Sequence, residues 1–358
     1  MKVLMLTPEV VPESSQGFIV SWISKLASKV DALHVIALDD YDRETALPKN
    51  VFVYNLGEKK IKITKYLYFS RIMFNLLRKR AVDVVFCHMY VVFTFMVAPW
   101  VKPLRIPVVQ WYAHGRVDFK LKMANLIADK IVTPSKESFR IESKKVVITG
   151  HGIDMEKFRP LERREGRSRK KIVLSVGRIS PVKNYETLIE AADILINKKG
   201  LDNLEFVIAG GVPIPSQKLY YEKIAKLTEE LRLTARLKFV GSIPHTEIVT
   251  YYQACDVFVN TSQTGSVDKS VLEAMACQKP ALTSNEAFKD ILSDNAGLLF
   301  FSRENAEELA GKIESLLQMD EGDRTQLGAS LREIVDRDHS IDHLTDKLVE
   351  IFGAYRGK

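Results

Sequence analysis

"IVLSVGRISPVKNYETLIEAADIL", Ile172 to Leu195, holds a strand, a turn and a helix in that order. Ile172–Val176 is a short apolar, β-branched run. Gly177 lets the backbone turn tightly. A helix is expected from Tyr185 to Lys198. The same unit recurs to the end of the chain: "LEFVIAGG" before a helix Gln217–Leu231, "LKFVG" before Thr246–Gln253, and "DVFVN" before the helix containing Glu273. "PALTS" and "AGLLFF" follow as strands, then helices. Short apolar strands alternating with helices argue a parallel sheet buried on both faces.

Upstream the alternation has already run once. "VLML", "LHVIAL", "VFVYNL", "DVVFCH", "IPVVQW", "KIVT" and "KVVIT" read as strands. Helices are expected at about Phe18–Lys29, Ile63–Arg80 and Lys120–Ala128, with another between "DVVFCH" and "IPVVQW". Between the two series lies "PLERREGRSRKK", Pro160 to Lys171, charged and without apolar period. The fold class is therefore α/β, with two tandem Rossmann-like, doubly wound domains facing a cleft. The expected boundaries are 1–162 for the first domain, 163–171 for a linker and 172–335 for the second. A C-terminal helix, 336–358, is expected to pack back on the first domain.

Composition is globular: 46% hydrophobic and 27% charged residues in 358. Cys87, Cys255 and Cys277 are scattered, so neither a zinc site nor a disulfide framework is expected, and a reducing compartment is favoured. "MKVLMLTPEV" is broken by Pro8 and reads as a strand and not a signal peptide. Val84–Val101 approaches the length of a bilayer span. His88 interrupts it and Pro99 ends it, so it reads as a buried strand followed by a helix. The formal charge of +7 favours anionic partners.

Chemistry is expected at the strand ends of the second domain. Arg178 and Lys183 share one loop before a helix, which suits a diphosphate; solvated loop cations are the alternative. Gly210, Gly211 and Gly241 end two further strands, and Ser242 and Ile243 offer backbone groups to a nucleobase edge. Glu273 sits among Leu272, Met275 and Ala276, where a carboxylate reads either as solvated or as aimed at a ligand.

"VGRISPVKNYETLIEAADIL", "FVIAGG", "FVGSIP" and "NTSQTGSVDKSVLEAMACQKPALTSN" together resemble the C-terminal domain of family 4 (group 1) glycosyltransferases, which have the GT-B fold. The resemblance extends over nearly the whole chain, and its "VGR…K" and "LEAMA…KP" blocks are the most specific. It implies that Arg178 and Lys183 hold a donor's diphosphate and that Glu273 accepts hydrogen bonds from both ribose hydroxyls. It also implies transfer with retention of anomeric configuration.

The chain departs from the family pattern eight positions before Glu273, where Gly265 replaces a glutamate that faces the donor sugar. Asp268 is expected either to cap the helix that starts near Lys269 or to supply the missing charge to the sugar. In the first domain the resemblance places His114, at the end of "VVQWYAHG", near the anomeric centre. It places His88 on the acceptor side and Gly17, in "TPEVVPESSQG", near the donor phosphate. His151 reads as part of a structural turn.

"KKIKITKYLYFSRIMFNLLRKR", Lys59 to Arg80, is basic and aromatic. Phe69, Ile72, Met73, Leu76 and Leu77 fall on one stripe, while Tyr66, Tyr68 and Phe74 lie off it. An anionic lipid surface and a solvated basic helix are both open for this segment. No nucleic-acid motif accompanies the charge.

The expected function is glycosyl transfer of hexosyltransferase type, from a UDP- or GDP-type sugar donor to a glycan or lipid-linked acceptor. No metal and no cofactor are expected, the nucleotide-sugar being a substrate. The expected location is cytoplasmic, with contact at the inner face of the membrane left open. A sugar-nucleotide epimerase and a catalytically silent binding partner are the alternatives. No GxGxxG opens either domain, which argues against a dehydrogenase.

Overall fold

Seven parallel strands form the first sheet: β1 (Lys2–Val10), β2 (Ala32–Tyr41), β3 (Val51–Asn55), β4 (Val84–His88), β5 (Val108–Trp111), β6 (Lys130–Thr133) and β7 (Val146–Ile148). Their spatial order is β3-β2-β1-β4-β5-β6-β7. The computed structural model describes residues 1–14, 16–161, 170–212, 214–263 and 265–355. The chain divides into two compact units, Met1–Asp154 with Asp338–Lys358, and Met155–Arg337. The linker expected at 163–171 lies outside the described residues, apart from its last two.

Strand alternation sorts unit 1 into two layers. Val3, Met5, Val35, Phe86, Val109 and Trp111 face α1 (Phe18–Ala27), and Leu4, Leu6, Ile36, Val85, Cys87 and Val108 face the opposite side. That opposite side is covered by α2 (Lys62–Arg78) and α3 (Val92–Val101), through Phe69, Ile72, Met73 and Leu76 from one and Phe93, Val97 and Val101 from the other. A third helix, α4 (Phe119–Ile127), packs beside α3, with Leu121 on Ile131. Ile131 pairs with Gln110, which alternates with Val109 and Trp111, so α4 lies on the same side as α2 and α3. The apolar run Val84–Val101 is thus β4 plus the ten-residue α3. Among the described residues no helix is long and apolar enough to cross a membrane.

The C-terminal helix Ile341–Gly353 belongs to unit 1. Leu344, Leu348 and Phe352 join the cluster that contains Trp22 and Phe86. Its entry is fixed by backbone bonds: Ile153 N–H donates to His339 O at 2.7 Å and Ile341 N–H donates to Ile153 O at 2.8 Å. Trp22 Nε1 donates to Gly152 O at 3.0 Å. Gly152 has φ +71°, and a Cβ there would sit 2.5 Å from Leu344. The "TGHGID" turn is therefore the seat for this helix, and glycine is the residue that fits it.

Unit 2 repeats the plan with five parallel strands: β8 (Lys171–Val176), β9 (Leu204–Ala209), β10 (Leu237–Gly241), β11 (Val257–Asn260) and β12 (Ala281–Thr283), ordered β10-β9-β8-β11-β12. Its connecting helices include α5 (Tyr185–Asp193), α6 (Lys218–Glu230), α7 (Ile248–Ala254) and α8 (Lys269–Ala276). Two expectations change. The helix expected through Lys198 turns from α into a π-helical turn at Ile194–Lys198. "AGLLFF" is not a strand: Ala296–Leu299 is a helical turn, and only Phe300 bridges to Thr283. Ala-Gly-Leu-Leu contains no β-branched residue to favour extension.

Phe352 is 1% exposed against Phe86, with ring centroids 5.8 Å apart. Phe352→Ala is expected to destabilise unit 1 by about 3–5 kcal/mol. Denaturant unfolding followed by tryptophan fluorescence checks this, since Trp22 and Trp111 share the cluster. An unchanged midpoint would mean that the helix contributes nothing to the core.

Candidate functional site

In a parallel sheet all strand C-termini emerge on one edge. In unit 2 that edge carries the loops beginning at Gly177, Gly210, Ser242 and Thr261. The strand order reverses between β8 and β11, and ligands of doubly wound sheets bind at such a switch point. The loop after β8 holds Arg178 and Lys183; the loop after β11 holds Gly265 and Asp268 and leads into α8.

Close backbone packing ties these loops together. Gly210 N–H donates to Gly241 O at 2.7 Å, and a Cβ on Gly210 would lie 1.8 Å from Gly177 O. Gly210 is therefore required by the approach of the β8 turn. Tyr185 OH donates to Gly177 O at 2.7 Å, and burial holds that phenol above its ordinary pKa, with Asp268 adding to the effect. Across the switch point, Thr261 Oγ1 donates to Lys183 O at 2.6 Å and Gln263 N–H to Val182 O at 3.0 Å.

The two cations differ in state. Arg178 is exposed, whereas the Lys183 ammonium is mostly buried and pairs with Asp268 Oδ1 at 2.6 Å. The other Asp268 oxygen accepts from Asn285 Nδ2 at 3.0 Å, and the same amide donates to Ser266 O at 2.7 Å. Asp268 occupies the position that precedes α8, yet its side chain makes no cap bond. The capping expectation is corrected: a lysine and an amide across the switch point take the carboxylate in place of the helix's own N–H groups.

Glu273 lies deeper than its sequence position suggested. Every residue from Val271 to Ala276 is buried, and Glu273 is 6% exposed. Its carboxylate is not simply solvated. Tyr252 OH donates to Oε2 at 2.8 Å, and His245 Nε2 lies 3.6 Å from Oε1. His245 Nδ1 is 2.9 Å from Lys157 Nζ. Burial, and then the Glu273 charge, keeps the Tyr252 phenol well above its ordinary pKa, so it remains a donor. Reading the sequence missed Tyr252, His245 and Asn285. Each lies at least twelve residues from the group it serves, and strand topology alone brings them together.

The remaining candidates are placed as follows. Ser242 is exposed and Ile243 half-buried, with Ser242 against Gly211. Gly265 is half-buried. In unit 1, His114 is exposed in the loop after β5. His88 has no exposed surface: its Nδ1 lies 3.2 Å from Thr7 Oγ1, and Trp22, Trp111 and Phe18 ring it with centroids 5.2–6.1 Å away. Gly17 precedes α1 at φ −55°, an ordinary helical value.

Residues 158–333 match the family model described as glycosyl transferases group 1. Unit 2 is a group 1 glycosyl transferase domain. The D-inositol 3-phosphate glycosyltransferase of Mycobacterium leprae is 27% identical over 218 residues, 59% of this chain and 49% of its own length. The protein of that name from Mycobacterium tuberculosis is 26% identical over 170 residues, 44% of this chain and 34% of its own. The chain thus spans about half the length, or less, of these curated relatives. Among solved structures, a glycosyltransferase from Rickettsia africae has a TM-score of 0.78 at 16% identity, covering 99% of each chain. Anabaena HepE, solved with UDP and glucose, has a TM-score of 0.77 at 16% identity, covering 99% of this chain and 100% of its own. The fold is GT-B: two α/β domains, each built on a parallel sheet.

Tyr252→Phe in this glycosyl transferase domain removes a buried carboxylate's donor. We expect a loss of about 1–3 kcal/mol in the stability of unit 2. Denaturant melts of the variant and the parent check this, and equal midpoints would show that water serves Oε2 as well as the phenol does.

Proposed function

We propose that the chain transfers a hexose from a UDP- or GDP-type sugar donor to an acceptor hydroxyl, with retention and without metal. The observation that carries the reading is the convergence of Arg178, Lys183 and the Glu273 helix on one sheet edge, within the segment that matches the family model. Arg178 and Lys183 meet the charge that develops on the departing diphosphate. Glu273, held by Tyr252, accepts from the ribose hydroxyls at roughly 1.5–3 kcal/mol per charged hydrogen bond. Ser242 and Ile243 face the base with backbone groups, Gly265 leaves room for the donor, and Gly210 serves it by letting the β8 turn that carries Arg178 approach closely. Gly17, in unit 1, keeps the phosphate role that the family resemblance implies for its loop. His114 touches the sugar near the reacting carbon. His88, wholly enclosed, shapes the acceptor side through packing.

Asp268 takes a different role from the sugar contact expected for it. Its carboxylate sits on Lys183 where a phosphate would bind, so a donor has to displace it. The acceptor is a glycan or a lipid-linked hydroxyl, and the basic segment 59–80 rests on an anionic membrane. A cytoplasmic place at the inner face of that membrane follows, in keeping with three buried free thiols. The relatives reported above are glycosyltransferases, which favours transfer over epimerisation.

Product analysis with candidate donors tests the reading. Free nucleoside diphosphate and an enlarged acceptor are expected, with activity surviving EDTA. An altered sugar-nucleotide would indicate an epimerase, and no turnover with tight binding a silent partner.

Arg178→Ala and Lys183→Ala are each expected to weaken nucleoside diphosphate binding at least tenfold more than nucleoside binding, about 1.4 kcal/mol. Asp268→Asn is expected to tighten the diphosphate by about two- to fivefold, the equivalent of a modest ion pair. Calorimetry with both ligands reads all three. Equal losses for the two ligands would remove the phosphate assignment, and weaker binding by Asp268→Asn would make Asp268 a support for Lys183 and not a competitor.

His114→Ala is expected to lower turnover at least tenfold, about 1.4 kcal/mol of transition-state stabilisation, and to change diphosphate affinity little. A folded variant with normal turnover would make His114 structural.

A further inference from the structure

We infer that α2, α3 and α4 together form a docking face for an anionic phospholipid bilayer, extending the contact proposed for residues 59–80 to a second helix outside that segment. The three helices cover one side of the unit 1 sheet, so their outer surfaces belong to one layer.

Three observations carry this. The first is a second apolar stripe on α2, opposite the one that faces the core. Ile63, Leu67 and Phe74 point outward with exposures of 67%, 61% and 59%. They recur at helical spacing on one face, and Arg71 and Arg78 run beside them, both exposed. The second is the matching pattern on α4. Phe119 and Leu126, seven positions apart, are 76% and 69% exposed, with Lys120 and Lys122 exposed next to them. Of the eighteen exposed large hydrophobic residues described in the chain, eleven fall between Ile61 and Leu126. Scattered apolar residues are normal on a surface, but a concentration of this kind marks an interaction site.

The third is charge. Residues 58–129 contain thirteen Lys and Arg and four Asp and Glu, a formal +9 against +7 for the whole chain. The remaining residues therefore sum to −2. Glu58 pairs with Arg43 outside the segment and Asp129 with Lys102, while Asp83 and Asp118 accept from the backbone N–H groups of Lys2 and Leu121. All four charges are already counted in the +9, so the positive excess stands with them included.

Apolar tips between cations suit a lipid interface, where the tips enter the acyl boundary and the cations meet the headgroups. A second copy of the same face would place like charges together. Nucleic acid would be met mainly by stacking aromatics, whereas on these faces Phe74 and Phe119 stand among the aliphatic Ile63, Leu67 and Leu126, which have no ring to stack.

The test is flotation of the full chain with vesicles of phosphatidylcholine alone or with about one-third phosphatidylglycerol. Two double variants are used: Leu67→Ser with Phe74→Ser, and Phe119→Ser with Leu126→Ser. All four positions are exposed, and thermal melts confirm the fold. We expect the parent to bind only the anionic vesicles and to be released as salt shortens the Debye length below roughly 10 Å. We expect each double variant to lose about tenfold in partitioning. If the α2 variant loses binding and the α4 variant does not, the extended face is wrong and the 59–80 contact stands. No parent binding at low salt overturns both. Unaffected double variants, with an oligonucleotide bound as tightly as vesicles, would show a polyanion surface and overturn the bilayer assignment.

Discussion

Parallel strands cannot be joined by hairpins. Each connection must cross the sheet, so every strand ends at the same edge. In unit 2 this constraint brings residues from 177 to 285 together at the edge where β8 and β11 diverge. No local feature of "VGRISPVK" or "LEAMA" makes either a site. The crossover rule does, by stacking one loop beside the other. Gly210 shows how tight the stacking is, since a single methyl group there would collide with the carbonyl of Gly177.

Two carboxylates at this edge have opposite settings. Glu273 is buried and is met by a phenol and an imidazole, neither carrying the fixed charge of a lysine. Asp268 meets a full ammonium and an amide. A buried carboxylate without partners carries a heavy desolvation cost. Tyr252 therefore satisfies one oxygen of Glu273 without saturating the carboxylate, which keeps further lone pairs. The Lys183–Asp268 pair is closer to self-sufficient, so an anion arriving at Lys183 gains only the difference between its own attraction and that of Asp268. On the function proposed above, this would moderate affinity for a diphosphate and favour release of a product otherwise held tightly.

Much of this was legible in the residues. The twelve described strands stand at the apolar runs read as strands, and the central ones are the plainest, because a strand buried on both faces needs no alternation and cannot hide its composition. Glycines at 177, 210 and 241 mark strand ends because the turns require them. What stayed hidden depends on distance in sequence. Nothing near Asp268 names Lys183 or Asn285 as partners, and a residue before a helix reads as a cap whenever its neighbours are unknown. Glu273 looked like an edge residue because α8 was judged by periodicity, whereas the helix is buried on nearly all sides. "AGLLFF" looked like a strand because a short apolar run does not distinguish extension from a helical turn.

Net charge is where the two units separate most clearly. A formal +7 suggested an anionic ligand, and the strand-end cations of unit 2 suit one. Yet that site accounts for little of the charge, since Lys183 already has a carboxylate on it and Arg178 contributes one unit. The positive balance lies in residues 58–129, on helices whose inward faces are an ordinary core. A helix that only covered a sheet would be more soluble without leucine and phenylalanine on its solvent side. Their place between arginines is the pattern that the proposed bilayer contact accounts for and that the inward packing of α2 does not.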